Sequence, residues 1–424
     1  MDQGNTAFIL IAAALVLLMT PGLAFFYGGL VKAKSVISMM MMSFGAMGLM
    51  GVLWVLYGYA IAFPATDEGT TQAPWHIDFA NLSLSNVLEA PEGAAYPPLA
   101  FVAFQATFAI ITVALVSGAI ADRAKFGAWM IFAAIWATVV YFPVASWVFN
   151  FGLADDGTFS YGGWITHGLQ DVFGVGAIDF AGGTAVHINA GAAALALALV
   201  LGKRVGFQKG AHVPHNPPFV LLGAGLLWFG WFGFNAGSEL AADNTAALAF
   251  VNTIAAPAAA LLSWLIVEKI KDGKPTSVGA ASGAVAGLVA ITPACAALTP
   301  FWAIVLGLLA GAVCALAIEL KFKLGFDDSL DVVGIHLVGG LLGTLYLGFF
   351  AKDTGLVFSG SANQLIVQAI AALAVLVYSF VLAFIIGFAV EKTIGFRVKN
   401  EDEIAGIDTV VHGEEGYVLS DTRG

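Results

Sequence analysis

The feature that most constrains this chain is a series of long stretches free of Asp, Glu, Lys and Arg. Residues 5–31, 35–66, 93–121, 126–154, 180–202, 210–238, 244–267, 275–318, 332–351 and 354–390 carry none. A helix that crosses a bilayer needs about 20 apolar residues, and most of these stretches fit one crossing with its flanks. The stretch 275–318 is too long for one. Thr292-Pro293 and Thr299-Pro300 interrupt it and mark a loop between two helices. The sequence therefore predicts an all-α polytopic membrane protein with eleven transmembrane helices. Helix is the expected element because an open sheet leaves backbone groups unpaired in lipid, and no ten-residue alternation suggests a β-barrel. Charged residues make up only 11% of the 424, against roughly 25% in soluble domains. The 50 glycines suit helices that pack closely in a membrane.

The basic residues set the expected orientation. Lys32, Lys34, Arg123, Lys125, Lys203, Arg204, Lys209, Lys269, Lys271, Lys274, Lys321, Lys323, Lys392, Arg397, Lys399 and Arg423 all follow odd-numbered spans, and only Lys352 falls in an even-numbered connection. The positive-inside rule makes the basic side cytoplasmic. The N-terminus is then outside and the C-terminus cytoplasmic. Met1–Thr6 has no basic residue, so it does not read as the start of a signal peptide. The opposite loops are acidic, with Asp67, Glu68, Asp78, Glu89 and Glu92 in one and Asp155, Asp156 and Asp171 in the next. They read as a solvated surface or as a mild attractor of cations. Residues 1–394 form the expected transport domain. Residues 395–424 form a polar cytoplasmic tail carrying Glu401, Asp402, Glu403, Asp408, Glu414, Glu415 and Asp421.

Few residues could carry chemistry. Of seven histidines, only His187 and His336 lie inside apolar spans, and ionisable groups at that depth are costly and usually face a pathway. Each follows an aspartate near the start of its span, Asp179 before His187 and Asp331 before His336. Span 1 carries Phe25-Phe26-Tyr27-Gly28-Gly29, and span 6 carries Gly233-Phe234-Asn235-Ala236-Gly237-Ser238. Matching elements five spans apart predict two inverted five-helix repeats plus one extra helix, with a substrate path between them. Asp179 reads as a helix cap and as a fixed charge beneath a cation site; Asp331 reads as a cap alone. The runs Trp231–Ser238 and Phe104–Phe108 are rich in rings that could attract a small cation. Cys295 and Cys314 fall in or at spans and make neither a disulfide framework nor a metal site. A net charge of −11 without a basic stripe excludes nucleic-acid binding. There is no HExxH, Walker A run or nucleophile elbow, so no enzyme and no cofactor is expected.

These motifs, together with Gly202-Lys203-Arg204 and Gly406-Ile407-Asp408, resemble the ammonium transporter family (the Amt, Mep and Rh proteins) over essentially the whole chain, most closely its bacterial Amt branch. The resemblance implies a multi-pass protein of the cell inner (plasma) membrane, a homotrimer with one pore per subunit. It implies an external ammonium site made of an aromatic cage and a hydroxyl, carried here by Phe108, Phe149, Trp231 and Ser238, with Asp179 nearby. Phe108 and Phe234 resemble the stacked gate below that site, and His187 and His336 the twin pore histidines. A PII-type signal protein is implied at the cytoplasmic face. One position departs from the pattern. Aligned on Tyr141-Phe142-Pro143, Phe149 stands where many relatives have tryptophan, and Trp147 or Trp164 could fill the gap instead.

Moving a bare ammonium-sized ion into low dielectric costs on the order of 20 kcal/mol by a Born estimate. Cation–π contacts return roughly 0.5–2 kcal/mol each. The pore therefore favours neutral ammonia, with the proton travelling separately. Potassium has no proton to lose and would be excluded without a size filter. The competing readings are an ammonium sensor that signals through its tail, which is too short for an enzymatic output domain such as a fused kinase, an Rh-like channel for ammonia or carbon dioxide, and a membrane enzyme with a histidine-held metal.

Overall fold

The computed structural model describes residues 1–154, 158–208 and 213–417. Asp155, Asp156, Lys209, His212, Asp421 and Arg423 lie outside them. Ten described helices are long and apolar enough to cross a membrane: α1 (Gln3–Leu30), α2 (Ala33–Ala62), α3 (Pro98–Ile120), α4 (Phe126–Phe149), α5 (Gly183–Leu201), α6 (Pro217–Glu239), α7 (Asn244–Lys271), α9 (Pro300–Leu324), α10 (Val333–Phe350) and α11 (Asn363–Thr393). The remaining expected span is α8 (Ser277–Ile291), only 15 residues long. The connection from Thr292 to Thr299 leads into Pro300 at the first turn of α9, as the Thr-Pro signals require.

Helices α1 and α6 lie along each other. Their approach depends on glycine: a Cβ on Gly223 would sit 2.2 Å from the backbone nitrogen of Phe26. Helix α9 meets α7 in the same way, and a Cβ on Gly311 would sit 2.1 Å from the Ala260 carbonyl oxygen. Small residues let membrane helices gain dispersion contact where no hydrophobic effect drives them together. A short antiparallel ribbon, β1 (Phe151–Leu153) and β2 (Phe159–Gly162), follows α4 on the face with acidic loops.

The face with basic loops is tied by a buried charge network. Arg204, itself buried, pairs with Asp122 at 3.0 Å and Asp327 at 2.9 Å. Arg123 donates to the Asp327 carbonyl at 2.6 Å. Burial pushes the Asp327 carboxyl up, but the hydrogen bonds and charge of Arg204 outweigh it and hold Asp327 below the usual carboxylate range. The tail joins this face and is less solvated than its composition suggests. Arg397 lies beside Ala124 in a β-bridge. Glu403 is buried, accepts from Arg397 at 2.9 Å and takes the Val205 backbone N–H at 2.7 Å. Asp408 is also buried and accepts the Ile37 and Ser38 N–H groups at 3.0 and 2.7 Å, capping α2 from the far end of the chain.

Candidate functional site

On the acidic face a vestibule of about 550 Å³ opens over the ends of α3, α4 and α6. Phe108, Phe149 and Ser238 line it together. Phe149 meets Phe108 edge to face, with centroids 6.0 Å apart at 84°. The Ser238 hydroxyl donates to the Phe234 carbonyl at 2.8 Å. Its proton is thereby committed within its own helix, and its oxygen lone pairs are free to accept. Trp147 and Trp164 do not line this space. Trp147 packs on Trp164 and Tyr378 and donates to the Pro74 carbonyl at 2.6 Å. Of Phe149, Trp147 and Trp164, Phe149 alone lines the vestibule.

The floor of the vestibule is a ring stack. Phe108 and Phe234 lie 4.2 Å apart at 12°. Beyond them is a small void of about 10 Å³, lined by apolar side chains such as Leu23, Phe26, Ile111 and Val285, and by His187, His336 and Trp231. A void must offer roughly 10–15 Å³ to hold one water, so this one suits one small molecule at a time. The His187 and His336 Nδ1 atoms are 3.2 Å apart, and the rings stack at 5.3 Å and 26°. With both rings neutral, one Nδ1–H donates and the other Nδ1 accepts. His187 Nε2 is buried and has no hydrogen-bond partner among the described residues.

Each histidine lies in a π-helical turn, Gly183–Ile188 in α5 and Val333–Leu337 in α10. A π turn widens the helix locally and recurs at functional sites. The first turn is built on Asp179. Its carboxylate accepts N–H groups from Gly182 (2.9 Å), Gly183, Thr184 (2.8 Å) and Ala185 (3.0 Å), and the Thr184 hydroxyl as well.

Two expectations need correction. Trp231 does not reach the vestibule. It sits almost two helical turns before Ser238, stacks on His187 at 5.6 Å and donates to the Thr292 hydroxyl at 2.8 Å, so it belongs to the histidine void. Asp331 is not the cap of α10. Its backbone is left-handed (φ 64°) and its carboxylate pairs with Lys321 at 2.6 Å. The Val333 N–H is taken by Asp328, at 2.7 Å. The signal was available: Asp328 precedes His336 by the same eight residues that separate Asp179 from His187. Burial raises the Asp328 carboxyl to a pKa of about 6, with the Asp331 charge adding to the rise and Lys321 opposing it. Among the described residues no group of three or more His, Cys, Asp or Glu side chains could hold a metal.

Ten described membrane-length helices with a ring-lined vestibule on one face and a small void lined by two histidines have the form of a polytopic membrane transport protein. The model of the Ammonium Transporter Family matches residues 7–417. The ammonium transporter of Mycobacterium bovis is 53% identical over 98% of this chain and 90% of its own length. Among solved structures, Mep2 of Saccharomyces cerevisiae aligns with a TM-score of 0.82 at 32% identity, over 94% of this chain and 91% of the other. A structure titled Sensor Amt Protein aligns at 0.85 with 29% identity, over 96% and 98%. The chain belongs to the ammonium transporter family.

Proposed function

We propose that the protein carries ammonium across the cell inner (plasma) membrane as neutral ammonia, with the proton moved separately. The observation that carries this reading is the pair of imidazoles in bonding contact inside a void of about 10 Å³ walled by apolar groups. An ion stripped of water in such a space lacks compensation. A neutral amine needs only the ring nitrogens, and His187 Nε2 has no other described partner. Phe108, Phe149 and the free lone pairs of Ser238 recruit the cation, and the Phe108–Phe234 stack separates it from the void. Asp179 acts chiefly by fixing the π turn that aims His187, because its oxygens are taken by five donors.

The finer architecture belongs to the same proposal. It has eleven spans counting α8, an N-terminus outside and a C-terminus in the cytoplasm. The contact of α1 with α6 and the repeated aspartate–histidine spacing support two inverted five-helix repeats plus α11. The working unit is a homotrimer. Residues 395–417, laid over the basic loops, form the surface that a PII-type signal protein would read. A sensor of the same fold remains the second reading, since a sensor aligns along nearly the whole chain. Current in proteoliposomes separates the two. Ammonium evokes current and potassium does not if the protein is a transporter; no ammonium flux by any readout contradicts it.

A further inference from the structure

The vestibule is much larger than ammonium needs. It offers about 550 Å³, whereas a site for one water-sized molecule needs only about 10–15 Å³. Beyond Phe149 its wall continues into the loop before α3 and the ribbon after α4, which contribute Tyr96, Phe151 and Tyr161. Phe63 and Phe101, edge to face at 4.8 Å, add two more rings. Tyr161 is fixed by its cross-strand partner Gly152. A Cβ on Gly152 would fall 2.1 Å from the Tyr161 ring, so only glycine lets the ring lie there. Burial, and then the neighbouring Tyr161, raise the pKa of the Tyr96 phenol, which stays neutral at physiological pH. None of the described residues lining the vestibule is charged.

A set of ring faces without a carboxylate suits a bulky, weakly hydrated cation. Methyl groups spread the charge over a surface that aromatic faces attract, and little bound water has to be removed. We infer that the outer vestibule binds small quaternary ammonium ions of the size of tetramethylammonium, seated among Tyr96, Phe151 and Tyr161. Such an ion has no N–H. It can neither bond to Ser238 nor lose a proton, so it stays above the Phe108–Phe234 stack and competes with ammonium. The competition rests on the proposed recruitment route; the binding does not.

Two measurements keep these apart. Calorimetry on the detergent-solubilised full chain, with tetramethylammonium as probe, should give saturable binding. Its neutral isostere tert-butanol should give none at the same concentrations. Tyr161→Phe should retain the affinity. Tyr161→Leu, which keeps an apolar side chain but removes the ring face, should weaken it about 2- to 30-fold. In proteoliposomes the cation should raise the half-saturation concentration for ammonium current without lowering the maximum. Binding without any ammonium flux would leave this site standing and remove the proposed function instead. Failure of the wild type to bind, equal binding of tert-butanol, or undiminished binding in a folded Tyr161→Leu would overturn the inference. The comparison of cation with alcohol holds even if Tyr161→Leu does not fold.

Discussion

Asp179 stands eight residues before His187 at the start of α5, and Asp328 stands eight residues before His336 at the start of α10. The Asp179 carboxylate is saturated: four backbone N–H groups and one hydroxyl converge on it. The Asp328 carboxylate accepts the Val333 N–H through one oxygen, while its buried Oδ1 has no partner among the described residues. Lys321, which could neutralise it, is paired with Asp331. Equal spacing thus supports two different electrostatic situations. Asp179 is a rigid cap whose charge is spent on geometry. Asp328 keeps a less fully bonded carboxylate on the basic face, offset only by the charge of Lys321, whose ammonium is bonded to Asp331. Both π turns start from a carboxylate cap, and the two caps differ in how many N–H groups converge on them.

Substitutions can break or sharpen this contrast. Asp179→Ala should have the largest effect. It orphans four N–H groups, each worth about 1–3 kcal/mol when buried, and should abolish transport and lower the thermal stability of the solubilised protein by more than any other change here. Asp179→Asn should recover part of the folded yield. Wild-type flux in Asp179→Ala would remove its role altogether. Asp408→Ala comes next, because it strips two N–H bonds from the start of α2 and should cost about 2 kcal/mol by thermal denaturation. Deletion after Asn400 should do the same and also lower flux.

Asp328→Ala should cost less, about 1 kcal/mol near neutral pH, since one N–H is orphaned while an unfavourable buried charge is relieved. Its pH dependence has a definite sign. With the folded pKa raised to about 6, the folded state holds a proton that the unfolded state releases near pH 4. The contribution of this group is therefore full below that range and is lost as pH rises through about 6. Asp328→Asn should flatten that part of the stability profile; an unchanged profile would show that another group titrates there. Ser238→Ala should leave stability untouched and instead raise the half-saturation concentration for ammonium about 10-fold or more, the worth of a hydrogen bond to a charged partner. An unchanged value would remove Ser238 from recruitment.

Much of this was legible in the sequence. Uncharged stretches and Thr-Pro breaks located the helices because burial in lipid forbids charge. His187 and His336 stood out because ionisable groups are expensive at that depth. What stayed hidden was direction and distance. Seven residues separate Trp231 from Ser238, which on a helix is roughly 10 Å, enough to move a ring from the vestibule to the histidine void. Asp331, the aspartate nearest α10, hid Asp328, because its left-handed backbone turns it toward Lys321. The tail read as a polar segment, yet Glu403 and Asp408 are buried, bonded to backbone N–H groups of the Val205 loop and of the first turns of α2, far away in the chain, which composition cannot show.

The central claim is that the histidine void passes a neutral molecule, and the most direct test places a charge there. A carboxylate in a space of low dielectric stabilises a dehydrated cation by direct Coulomb attraction. Potassium current should therefore be recorded from proteoliposomes holding His187→Asp or His336→Glu, with the folded, oligomeric state compared with wild type in detergent and His→Ala variants as controls. The expected result is a potassium conductance in the acidic variants that the wild type lacks, with His→Ala chiefly slowing proton movement. Stable acidic variants that carry ammonium with unchanged selectivity and no potassium would contradict the account.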